Sequence, residues 1–137
     1  MTSECSHAAC GEGYFIDAVA KDGCVAAGPC RLELKLVATG EFHVNDEYPY
    51  RFKADALHGY EFLGTDPNGK NVFSKTAGDW TKADAKSGVL AVKLLPASPH
   101  EGSGAAATLS GVFKLSVCSS ETCLIDQPQV HALLPAR

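Results

Sequence analysis

A chain of 137 residues, 45% hydrophobic and 20% charged, has room for one hydrophobic core and too little for two ordinary domains. Its net charge of −4, with no basic cluster, removes the footprint of a nucleic-acid binder. No apolar run reaches the length of a membrane-spanning helix, and the six cysteines, an even number in local pairs, suit an oxidising compartment better than the cytosol.

Residues 1–12 mix Ser, Cys, His, Ala and Gly without periodicity and read as a flexible N-terminal tail, which leaves residues 13–137 as a single β-sandwich domain. The start, Met1-Thr2-Ser3-Glu4-Cys5, has no charged segment followed by an apolar stretch, so it carries no signal peptide. The cysteine usage still points to export, to the periplasm or outside the cell, with a leader already removed. Cys5 and Cys10 are disulfide candidates. Cys5, His7 and Cys10 also offer soft ligands in one short segment, but zinc would want a second, tightly spaced ligand pair and none follows. Neither a metal nor a cofactor is expected.

From Gly13 onward short alternating runs are separated by turn residues, the pattern of an all-β sandwich. The first strand is expected over Tyr14 to Ala20, ended by Lys21-Asp22-Gly23. Cys24 and Cys30 then bracket a small-residue turn and form a second disulfide candidate pair. In Arg31 to Ala38, Leu32, Leu34, Leu36 and Ala38 take one face and Glu33 and Lys35 the other, as a strand covering a core on one side requires. Further strands are expected at Glu41 to Val44, Tyr50 to Ala54, Tyr60 to Leu63, Asn71 to Ser74, Val89 to Leu95 and Val130 to Leu134. Asp66-Pro67-Asn68-Gly69 and the stretch from Ser98 to Gly104 have strong turn chemistry. Ala77 to Lys86, with Trp80, is expected to be a loop or an irregular edge.

The last long run brings Leu109, Gly111, Phe113, Leu115 and Val117 to one face and Ser110, Val112, Lys114, Ser116 and Cys118 to the other. It leads into Cys118-Ser119-Ser120-Glu121-Thr122-Cys123, a spacing that suits a tight hairpin joining two sulfurs. Its position on the polar face makes Cys118 an accessible thiol by expectation, and Cys123, at the end of the turn, the better candidate for the exchanging sulfur.

Two stretches carry a resemblance to a known family. Arg31-Leu32-Glu33-Leu34-Lys35-Leu36-Val37 followed by Gly40-Glu41-Phe42-His43-Val44, and Ala107-Thr108-Leu109 through Cys118 and Cys123, resemble the N-terminal periplasmic domain of DsbD-type transmembrane thiol:disulfide interchange proteins. That domain is an immunoglobulin-like antiparallel β-sandwich, and the similarity of layout covers about residues 31–134. It implies a domain that exchanges electrons with a thiol-containing protein partner, Cys118 and Cys123 cycling between dithiol and disulfide as the catalytic pair. It also implies a cap or binding surface near the pair, for which His43, Tyr48, Tyr50 and Phe73 are the candidates.

The alternative is a non-enzymatic, disulfide-stapled sandwich that binds a partner or serves a structural role. Most disulfides in small exported domains are staples, and closing this hairpin contributes about 2 kcal/mol by chain entropy. Tyr48, Tyr50 and Phe52 share a face that serves either a groove or the core, and Trp80 fits a partner contact or a core plug equally. A solvated strand end is the ordinary reading of His43 beside Asp46 and Glu47. No G-x-S-x-G elbow or phosphate-cradling glycine loop is present, so hydrolase and nucleotide chemistry fall away. Nothing in the chain selects an oligomeric state.

Overall fold

The computed structural model describes residues 7–20, 30–96 and 107–134, and every regular element among them is a β-strand. One sheet runs β1 (Ala9–Gly11), β2 (Tyr14–Ala20), β3 (Cys30–Ala38) and β9 (Ser87–Pro96), with β6 (Tyr60–Phe62) and β8 (Trp80–Asp84) sharing the far side of β9. The other is built on β10 (Ala107–Cys118). β11 (Cys123–Asp126) and β12 (Gln129–Leu134) lie along one flank of β10, β4 (His43–Val44) and β5 (Arg51–Ala54) along the other, and β7 (Val72–Ser74) pairs with β5. Every pairing is antiparallel, so the molecule is an all-β sandwich of two antiparallel sheets.

The alternation read in the sequence decides which faces meet. Leu32, Leu34 and Leu36 of β3 and Leu90, Val92 and Leu94 of β9 are buried against Leu109, Phe113, Leu115 and Val117 of β10 and Val130, Ala132 and Leu134 of β12. Each such side chain removed from water contributes on the order of 1.5–3 kcal/mol before the entropy of ordering it is subtracted. The two sheets also join through backbone at β4. Val44 pairs with Val117 of β10 and donates its N–H to the carbonyl of Ala85, in the β8–β9 turn of the opposite sheet, at 2.9 Å.

Several expectations are corrected. The tail assigned to residues 1–12 is not one where it is described, since Ala9–Gly11 pairs with β2 and Ala8 donates its N–H to the carbonyl of Ile16. Residues 1–6, with Cys5, lie outside the described residues, as do Cys24 with its turn and the stretch from Ser98 to Gly104. The segment around Trp80, by contrast, is the irregular edge that was one of its two expected forms, a strand paired with β9 and shifted in register between Lys82 and Asp84. Trp80 packs against the core, partly buried: its ring lies over Gly88, where a Cβ would come within 2.2 Å of it, and stacks on Tyr50 with centroids 4.0 Å apart. Leu124 and Ile125, given no strand in the sequence, belong to β11.

Candidate functional site at the cysteine hairpin

β10 and β11 form a hairpin in register, Val117 facing Leu124 and Cys118 facing Cys123. The N–H of Ser119 bonds the carbonyl of Thr122 at 2.7 Å, and the Ser119 hydroxyl oxygen accepts the N–H groups of Glu121 and Thr122, each at 3.2 Å. With Ser119 and Thr122 hydrogen-bonded, the alternation of antiparallel ladders makes Cys118 and Cys123 a non-hydrogen-bonded pair, the kind in which opposed residues approach most closely. Their Cα atoms are 4.0 Å apart, and the sulfurs are joined in a disulfide.

The disulfide lies on the outer face of its sheet, because Val117 and Leu124 take the inner face. Its two halves differ. Cys123 is exposed, whereas Cys118 is only 6% exposed. The expectation of an accessible Cys118 is therefore overturned, while Cys123 remains the sulfur open to attack. Strand periodicity could not reveal this, since Cys118 lies beside a strand far away in sequence: β4 pairs with β10 so that His43 stands directly across from it.

Asn45, next along the chain, holds that strand in place. Its side-chain amide donates to Ser116 Oγ at 3.3 Å, its own Oδ1 accepts the N–H of Glu47 at 3.1 Å, and its carbonyl accepts the N–H of Tyr48 at 3.2 Å, turning the chain back. The Tyr50 hydroxyl then accepts the N–H of Asn45 at 2.8 Å and donates to the carbonyl of Ser116 at 2.7 Å. Burial pushes the Tyr50 hydroxyl up to about 12. Tyr50 thus bolts β4 and β5 to β10 two residues before Cys118.

The other expected site residues separate. His43 is exposed beside Cys118, and its Nδ1 faces the carbonyl of Val44 at 3.0 Å, which leaves the other ring nitrogen clear. Tyr48 is half-buried and packs edge-on to Tyr50, so the core reading holds for Tyr50 and in part for Tyr48. Phe73 is not a cap, because it is fully buried on β7 with its ring edge-on to Phe62. Asp46 is engaged by two lysines: Lys82 bonds its carboxylate at 2.8 Å and holds it below the usual range, and Lys75 bonds its carbonyl.

Cys10 and Cys30 are each held in a disulfide. A sulfur in that form is not the thiolate that a metal takes. His7 instead meets Asp17 at 2.5 Å and stacks on Phe15. No group of His, Cys, Asp and Glu among the described residues is arranged to hold a metal ion, and no helix among them is long and apolar enough to cross a membrane.

A residue the sequence did not single out completes the neighbourhood. Tyr14 of β2 reaches across the seam between the sheets and donates to the carboxylate of Asp126, on β11, at 2.5 Å. Burial first, then this bond and the carboxylate's charge, hold the hydroxyl well above the usual phenol range. Fold and site together define a β-sandwich with an outer-face hairpin disulfide whose two sulfurs are unequally exposed. No family model, curated protein or solved structure matches the chain.

Proposed function

We propose that the protein is an exported thiol:disulfide exchange domain, similar in role to the N-terminal domain of DsbD-type proteins, that trades electrons with a partner protein through Cys118 and Cys123. One observation carries the reading: an exposed sulfur is bonded to a buried one that has an imidazole across from it. A partner thiolate attacks Cys123 Sγ, the Cys118–Cys123 bond breaks, and Cys118 leaves as a thiolate, stabilised by a proton from His43 or solvent. The partner's second thiol, as thiolate, then attacks the mixed disulfide at the partner's own sulfur and releases Cys123. The partner is oxidised to its disulfide, and this chain gains two electrons and two protons. The reverse steps pass them to the disulfide of a second partner.

The competing reading is a structural staple in a binding module. It is favoured by the Ser119 hydrogen bonds, which already close the turn, and by the burial of Cys118. The reduction potential of this pair decides between them. Equilibration in glutathione or dithiothreitol buffers, with alkylation and mass spectrometry for each thiol, should give a value between about −120 and −270 mV, this pair reducing before the others. A value below about −300 mV assigns a staple and refutes exchange.

A further inference from the structure

The seam between the sheets is closed by a backbone bond beside β12 and spanned beside β11 only by the Tyr14–Asp126 side-chain bond. His131 of β12 donates its N–H to the carbonyl of Ala8 at 3.2 Å, which ties the edge of one sheet to the other. Further along, no strand among the described residues pairs with the other side of β11. By the ladder's alternation the N–H and C=O groups of Cys123 and Ile125 point away from β10, toward that free side. Of the devices that blunt natural edges, the strand Cys123-Leu124-Ile125-Asp126 has shortness and the one charge of Asp126, but no lysine, proline or bulge. Ile125 is 65% exposed on the outer face next to the disulfide.

On the inner side of the same edge lies a cavity of about 200 Å3. Tyr14, Leu115, Val117, Leu124 and Ile125 line it, with two acidic residues, Glu12 and Asp126. It is smaller than the roughly 300–1,000 Å3 of pockets that enclose a whole small ligand, so its size fits one long side chain. Apolar walls with two acidic residues match an aliphatic stem ending in a positive charge, a lysine or arginine. In a strand laid along β11, side chains alternate between the outer face, where Cys123 lies, and the inner face, where the cavity opens.

We propose that the free edge of β11 docks an extended segment of the partner protein as an added strand, with a lysine or arginine of that segment in the Tyr14–Asp126 cavity and the partner's cysteine, its neighbour in sequence, on the outer face beside Cys123. Backbone hydrogen bonds to Cys123 and Ile125 supply the affinity, and the buried cation supplies the choice of sequence. The proposal rests on the exchange reading only for the partner's cysteine; the edge and the cavity stand apart from it.

The test uses the whole chain with its disulfides intact and two synthetic peptides of alternating valine and threonine. Each carries serine in place of the cysteine, preceded by lysine in one and by glutamate in the other. NMR titration should show shifts at Cys123–Asp126 and amide protection at Ile125, with the lysine peptide bound about fivefold more tightly than the glutamate peptide. Asp126→Asn should remove most of that difference. Ile125→Pro, which deletes an N–H on the side where edge strands tolerate proline, should abolish binding while the melting temperature shows the fold retained. Equal affinity for the two peptides, shifts elsewhere, or undiminished binding to Ile125→Pro overturns the proposal. So does sedimentation showing that a second copy of this chain occupies the edge. Exchange of Cys123 with glutathione, followed on the same protein, tests the chemistry alone: peptide binding without exchange refutes the redox reading, and exchange without peptide binding refutes the docking.

Discussion

Replacing Tyr50 by Phe removes one oxygen atom from a fully buried position. That oxygen accepts the Asn45 N–H at 2.8 Å and donates to the Ser116 carbonyl at 2.7 Å, and Ser116 is itself fully buried. The ring keeps its volume and its stack on Trp80, so the cost comes from the polar groups left behind rather than from a cavity. A buried group stripped of its partner costs about 1–3 kcal/mol, and we take about 2 kcal/mol. For a domain of this size that corresponds to a fall in Tm of about 6–10 °C. Tyr48→Phe is the matched control: its hydroxyl makes no hydrogen bond among the described residues, and it should change stability by less than about 0.5 kcal/mol. Thermal melts followed by circular dichroism, all disulfides oxidised, give the comparison. If Tyr50→Phe melts within about 2 °C of the unsubstituted protein, Tyr50 does not bolt β4 and β5 to β10 as argued.

The same hydroxyl sets an alkaline limit. Because its folded value lies near 12 against an ordinary 10.0, its contribution to stability is complete below pH 10 and is lost as the pH climbs from 10 toward 12. Denaturant midpoints measured across that interval should fall less steeply for Tyr50→Phe than for the unsubstituted chain. Gly88→Ala places a methyl where the Trp80 ring sits and should cost about 1–3 kcal/mol while shifting the emission of the single tryptophan; unchanged emission would mean that the ring is not held there. His43→Ala should slow reduction of the Cys118–Cys123 bond by dithiothreitol about two- to fivefold, and an unaltered rate would remove His43 from the leaving-group role.

The long half-buried strands were legible because a period of two survives wherever one face meets a core: Leu32-Leu34-Leu36 and Leu109-Phe113-Leu115-Val117 announced β3 and β10 directly. β1 was not, since Ala9-Cys10-Gly11 has no apolar alternation and becomes a strand only by pairing with β2. β8 could be read only as a loop or an irregular edge, for a similar reason. Its residues after Trp80 are exposed, so its place is fixed by the edge of β9 and by one ring over Gly88. The cysteine hairpin could be read from its spacing, but the inequality of its sulfurs could not, because Cys118 lies beside a strand more than seventy positions earlier. Phe73 shows the opposite failure: an aromatic assigned to the surface by family layout was claimed by the core.

β10 presents two faces with separate duties. Its inner side is sealed into the core, while its outer side carries Cys118 and the bond to Cys123. If that bond is made and broken, the change falls on the outer face, opposite Leu109, Phe113, Leu115 and Val117, and it is there that the two covalent states differ. Whatever tells the two states apart must therefore touch residues 118–123 or the strand beside them.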